Sequence, residues 1–171
     1  MQVYQATEVL LETYPVDPKL HDIIVKNVNP PDFGDDEWNS RQKYQMSPWD
    51  SSYIKEFKDI AEIALSIAND ACGSYEMKLI DVWGQLYNEG DFQETHNHIP
   101  NNWSFCYYVN TPEGSAPMIF DHSKAEIHPR EGMLVVFPAW LDHSVPENKC
   151  NGRSIIAGSF AHTENPNEKI F

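Results

Sequence analysis

Apolar and polar positions change rhythm near residue 75. Before that point the clearest pattern is helical. Ile54, Phe57, Ala61, Ala64, Leu65 and Ala68 recur on a stripe of about 3.6-residue period, and Gly73 follows as a stop signal. Ser47-Pro48-Trp49-Asp50 reads as a cap followed by proline, so a long helix is predicted from there to about Cys72. Asp17-Pro18 carries the same signal for a shorter helix ending near Lys26. Val3–Leu11 is apolar enough for a short strand, and Asn29–Asn39, with Pro30, Pro31 and Gly34, reads as a loop.

From Glu76 onward the pattern is one of short runs rich in Val, Ile, Tyr, Phe and Trp. These runs are Lys78–Tyr87, Trp103–Asn110, Ala116–Phe120, Met133–Phe137 and Ser154–Ala161. Turn residues separate them, at Asn88-Glu89-Gly90-Asp91, Thr111-Pro112-Glu113-Gly114 and Asn151-Gly152. Many short strands after helices predict a mainly β (α+β) sandwich or barrel. With 171 residues the expectation is one domain, a helical support region over 1–75 and a β core over 76–165.

Charge and cysteine content narrow the classes. A net charge of −14 repels phosphate backbones, which argues against a nucleic-acid or anionic-membrane binder. Much of the acid lies in Asp32–Glu37, read as a solvated loop. Cys72, Cys106 and Cys150 are odd in number and lack CxxC spacing, so neither a disulfide framework nor a zinc ribbon is expected. No run approaches eighteen apolar residues, and MQVYQATEVLLE has no basic leader, so a cytoplasmic protein is expected. The oligomeric state is not legible.

The candidate chemistry lies in the histidines. His96 and His98 have one residue between them, and in a strand such residues face the same way, roughly 6.5–7 Å apart. Two imidazoles at that spacing can converge on one ion, whereas on a helix they would diverge. The apolar run Gly132–His143 ends in a proline-containing bend with His143 just beyond, a way for a buried strand to deliver a third nitrogen donor. Three neutral donors suit iron, zinc, copper or nickel. His122 and His128 flank a hairpin turn at Asp121–Glu126, and His21 lies in the first helix; structural roles are expected for all three. Arg153, ten residues after His143, opens the run RSIIAGSF. A strand returning antiparallel beside the one that carries His143 would bring this arginine into the same barrel, where a buried guanidinium requires an anion.

His96-x-His98, His143 and Arg153 together resemble the 2-oxoglutarate/Fe(II)-dependent dioxygenases, within them the prolyl-4-hydroxylase-like branch, and most closely the small oxygenases of phages and bacteria. That family's pattern is H-x-D, a distal histidine, then Arg or Lys about ten residues later, on a double-stranded β-helix of jelly-roll or cupin-like form. The resemblance spans Leu79–His162. It implies Fe(II) held by His96, His98 and His143, with 2-oxoglutarate and O2 as co-substrates. It further implies a co-substrate pocket of Arg153, of Tyr108 in the run Ser104–Asn110, and of Tyr87, nine residues before His96. The implied reaction is hydroxylation of a small molecule or protein side chain with release of succinate and CO2. A cytoplasm, including that of a phage host, would keep the iron ferrous.

The departure is His98, where the family carries aspartate. Three-histidine iron sites occur in cupin dioxygenases, and Gly90-x5-His96-x-His98 and Gly132-x5-Pro138 resemble pieces of the cupin motifs. The cupin glutamate is absent, since Ile99–Trp103 contains no acid. Two alternatives follow: a three-histidine dioxygenase that does not use 2-oxoglutarate, and a metal-binding barrel without turnover. Ile99–Trp103 and Pro138–Asp142 are expected at the mouth, with Trp103 and Trp140 as candidate substrate contacts.

Overall fold

The computed structural model describes residues 9–29, 41–73 and 76–162. Most of the predicted Val3–Leu11 strand, the acidic run Asp32–Glu37 and the Asn29–Asn39 loop beyond Asn29 therefore lie outside the described residues. Thirteen elements follow in order: β1 (Leu10–Thr13), α1 (Leu20–Asn27), β2 (Gln42–Lys43), β3 (Gln45–Met46), α2 (Lys55–Cys72), β4 (Met77–Tyr87), β5 (Phe92–His96), β6 (Trp103–Asn110), β7 (Met118–Phe120), β8 (Ala125–Ile127), β9 (Met133–Pro138), β10 (His143–Val145) and β11 (Arg153–His162). They form a six-stranded sheet, β1-β9-β6-β11-β4-β3, facing a five-stranded sheet, β2-β5-β10-β7-β8. The fold is a double-stranded β-helix with helices packed on its larger sheet.

Strand alternation divides the core in two. On β4, Val82 and Leu86 pack toward α1 and α2 together with Phe57, Ala61, Ala64 and Ala68. Trp83 and Tyr87, one residue out of phase, join Cys106, Tyr108, Phe137 and Ile155 between the sheets. The centre of the large sheet is therefore buried on both faces, and β6 reads as a nearly continuous apolar run. The predicted helical stripe is the buried face of α2, except that Leu65 is only partly buried.

The start of α2 differs from expectation. Ser47-Pro48-Trp49-Asp50 does not cap it; the helix begins after Ile54. Instead the segment continues β3 along the edge of β4. Ser47 N–H donates to Gly84 O at 3.0 Å, Ser51 N–H donates to Val82 O at 2.8 Å, and Gly84 N–H donates to Ser47 Oγ at 2.9 Å. Pairing with an exposed strand edge satisfies these groups better than an isolated helix turn would. Gly84 is where helix meets sheet, since a Cβ there would stand 2.9 Å from the Phe57 ring. Gly84→Ala should therefore cost about 1–3 kcal/mol through overpacking, read as a lower urea midpoint at unchanged m-value.

Candidate metal centre and arginine pocket

Two of the three histidines are delivered by the smaller sheet. His96 closes β5 and His143 opens β10, and the two are directly paired across the antiparallel ladder. His98 lies just past the end of β5, so a shared strand face does not orient the pair as expected. A backbone tie does so instead: His98 N–H donates to Ala139 O at 2.8 Å, pinning the segment to the bend between β9 and β10. Asn97 reinforces the tie by donating from Nδ2 to Asp142 Oδ1 at 2.8 Å. Ring centroids are 4.3 Å apart for His96 and His143, and 5.1 Å for His98 with either. One ligand-capable atom from each of the three lies within 4.8 Å of the others.

The tautomers follow from the neighbours. His143 Nδ1 faces Leu141 O at 2.8 Å and His96 Nδ1 faces Glu94 O at 3.0 Å. A carbonyl oxygen only accepts, so each Nδ1 carries the proton and each Nε2 keeps a lone pair for a cation. Burial opposes protonation of the group. It pushes His98 down to about 2, helped by the two neighbouring imidazoles, and His143 down to about 3. His96 is lowered for the same reason, against the pull of the Glu94 carbonyl and of Asp121 and Asp142.

A pH dependence follows. Below about pH 6.5 the unfolded chain protonates a histidine that the fold keeps neutral. The unfolded state then binds more protons, so stability rises with pH across this window and is lost as pH falls through it. For the buried His143 the slope is up to about 1.4 kcal/mol per pH unit. Urea denaturation of metal-free protein at pH 7.5 and 5.5 should show the loss, and His143→Gln should remove about 1 kcal/mol of it. An equal loss in both proteins would refute the assignment.

The larger sheet supplies the facing wall. Arg153 on β11 is paired with Tyr87 on β4, and Ile155, two residues on, is paired with Tyr108 on β6. The strand bearing Arg153 thus lies in the sheet opposite the strand bearing His143, not beside it as expected from the sequence. Arg153 is fully buried, and none of Nε, Nη1 and Nη2 has a hydrogen-bond partner. None of the ion pairs among the described residues involves it. Its guanidinium carbon sits 4.5 Å from the centre of the Tyr87 ring and 5.5 Å from that of Tyr108. Those π faces offset part of the charge but accept none of its five N–H bonds. Tyr108 Oη is likewise buried and without a partner, and burial raises its pKa well above the usual range, so it stays a neutral O–H. Tyr87 Oη donates to Gln85 Oε1 at 3.0 Å.

The three histidines, Tyr87 and Arg153 line one cavity between the sheets, with Trp83, Gln85, Cys106, Met118 and Phe137 among its other walls. Trp83, Gln85 and Tyr87 alternate along one face of β4, so Tyr87 could have pointed to the other two from sequence. The remaining histidines stand apart from the cluster. His21 Nδ1 meets Ser154 Oγ at 3.0 Å, between α1 and β11, and exposed His128 lies 3.4 Å from Glu126. Trp103 packs on the helix side of the sheet, away from the cavity, whereas Trp140 in the bend is half exposed.

The sequence matches no protein-family model and no curated protein. Solved structures do match. The viral collagen prolyl hydroxylase of Paramecium bursaria Chlorella virus-1, in complex with 2-oxoglutarate, is 14% identical, with 91% of this chain and 96% of that chain covered and a TM-score of 0.64. A Pseudomonas putida prolyl-4-hydroxylase is 16% identical, with 91% and 93% covered and a TM-score of 0.62. A Trichoplax adhaerens prolyl hydroxylase, complexed with a hypoxia-inducible-factor peptide fragment, is 14% identical, with 89% and 83% covered and a TM-score of 0.65. The chain therefore has the double-stranded β-helix fold of the prolyl-4-hydroxylase-like 2-oxoglutarate/Fe(II) oxygenases.

Proposed function

We propose that the protein is an Fe(II)- and 2-oxoglutarate-dependent dioxygenase that hydroxylates a small molecule or a protein side chain and releases succinate and CO2. The observation that carries this reading is Arg153. A buried guanidinium with no partner on any of its nitrogens is costly unless an anion completes it, and it faces a cluster of three imidazoles across one cavity. A dicarboxylate keto acid fits such a pairing, because one end can chelate a metal while the other meets the arginine.

His96, His98 and His143 would hold the ion through Nε2, and the carbonyls of Glu94 and Leu141 keep two of those nitrogens aimed. Arg153 and the Tyr108 hydroxyl would take the distal carboxylate in charge-assisted hydrogen bonds. Tyr87 supports the guanidinium through its ring, and Gln85 holds the Tyr87 hydroxyl in place. Bound iron, O2 and 2-oxoglutarate supply the oxidising chemistry, while the chain contributes position and exclusion of water. The prolyl hydroxylases among the structural neighbours, one with a peptide bound, support a side-chain substrate. Among the described residues no helix is long and apolar enough to cross a membrane, and a reducing cytoplasm suits both ferrous iron and unpaired cysteines.

His98 favours a second reading, a three-histidine dioxygenase that needs no 2-oxoglutarate. Calorimetric titration of anaerobic, metal-loaded protein with 2-oxoglutarate separates the two. One equivalent bound in the micromolar range is the expected result, and no binding would sink the first reading. His98→Asp should retain the metal, because it installs an anionic donor at the same position. Complete loss of metal would show that a carboxylate at position 98 cannot take the place of the imidazole, against its correspondence to the family's aspartate.

A further inference from the structure

The charge of a loaded metal site is not balanced by the residues that line the barrel cavity, and Trp83, one of those lining residues, carries an unpartnered donor. Among the described residues lining the cavity there is no Asp or Glu. Asp121 and Asp142, the carboxylates that act electrostatically on His96 and His143, lie outside that lining. Asp121 accepts hydrogen bonds from Thr95 and Ser144, and Asp142 accepts one from Asn97. A divalent ion on three neutral imidazoles brings two positive charges and Arg153 a third, whereas 2-oxoglutarate returns two negative ones. Within the lining one positive charge is left over, with Asp121 and Asp142 acting only from outside it, where an aspartate in place of His98 would have cancelled it directly.

Trp83 lines that cavity with its ring centre 5.9 Å from that of His98. It is only 2% exposed, and its Nε1–H is buried without an acceptor. The half-exposed Trp49 packs on it edge to face, at 4.7 Å between ring centres. We propose that the substrate bears a carboxylate, which enters beside His98, accepts the hydrogen bond of Trp83 Nε1–H and neutralises the remaining charge. Trp83 is then a specificity-determining residue, selecting acidic substrates over neutral ones. This rests on the 2-oxoglutarate reading for the count of charges, while the Trp83 site itself needs only the metal.

The test uses Co(II)-loaded protein, whose visible absorption changes with coordination, with one equivalent of 2-oxoglutarate bound and no other carboxylate in the buffer. Acetate, its neutral isostere acetamide, and chloride are the probes. Acetate should bind at least tenfold more tightly than either of the others, and Trp83→Phe, which keeps the ring but removes the N–H, should weaken acetate about tenfold. Equal binding of acetate and acetamide, chloride as tight as acetate, or a Trp83→Phe effect within twofold would each overturn the proposal. If Trp83→Phe fails to load Co(II), the acetate-to-acetamide ratio of the unaltered protein decides. The same titrations on Co(II)-loaded Arg153→Met protein need no 2-oxoglutarate. Preference for acetate there, with no 2-oxoglutarate bound by the unaltered protein, would overturn the oxygenase reading and keep the anion site. A protein that takes up no divalent ion would overturn both.

Discussion

Arg153→Met is expected to abolish 2-oxoglutarate binding, by at least about a hundredfold, while the metal site stays loaded and the metal-free protein becomes no less stable. The two halves of this result have one cause. Arg153 is fully buried and its three nitrogens have no hydrogen-bond partner, so it is a group retained at the expense of the fold. Methionine fills a similar volume against Tyr87 and Tyr108 and removes a charge that the neighbouring rings only partly offset. Replacing a buried charge with a packed apolar side chain is often neutral or stabilising, here by an expected ~1–2 kcal/mol. A hundredfold loss of affinity corresponds to about 2.7 kcal/mol, within the usual range for removing one partner of a buried charge pair. Paired urea melts and calorimetric titrations check both halves. A clear drop in stability with co-substrate affinity retained would mean that Arg153 is a structural residue.

His143→Ala should have the opposite profile, losing the metal and with it every metal-dependent binding event. His143 is the most buried of the three, with Nδ1 held by Leu141 and its ring against Phe137 at 4.9 Å between centres. Its pairing with His96 across β5 and β10 makes the two the rigid half of the cluster. Loss of an outer hydrogen-bond partner costs metal affinity about ten- to hundredfold, and loss of a ligand should exceed that. Asn97→Ala, which removes the tie to Asp142, should fall within the smaller range. Competition against a chromophoric chelator measures both variants. Equal affinities would show that His143 is not a ligand.

Much of the frame could be read from the chain because the central strands of its large sheet are buried on both faces. Trp103–Asn110 is both the predicted run and β6, and β4, β9 and β11 differ from prediction by one or two residues at their ends. Continuous apolar runs of this kind have few competing interpretations. The smaller sheet could not be read so. β5 is Phe-Gln-Glu-Thr-His and β10 is His-Ser-Val, short and largely polar, and they become strands by pairing with each other and with β2 and β7 on either side. That tertiary pairing brings His96 to His143. His98 and Arg153 are legible as site residues, but their geometry differs from what spacing suggests. His98 is held by a backbone tie rather than by strand alternation, and Arg153 faces the histidines from the opposite sheet rather than from a neighbouring strand. Trp83 is not legible in the sequence because a tryptophan in an apolar strand looks like packing, and only its unpartnered N–H distinguishes it.

Oxygen consumption by Fe(II)-loaded protein, measured with and without 2-oxoglutarate while succinate is assayed in the same vessel, bears most directly on the proposed activity. The expected result is uptake that requires 2-oxoglutarate and yields succinate in proportion to it, lost in Arg153→Met. Oxygen uptake indifferent to 2-oxoglutarate, or an iron-loaded protein that forms no succinate, would contradict it.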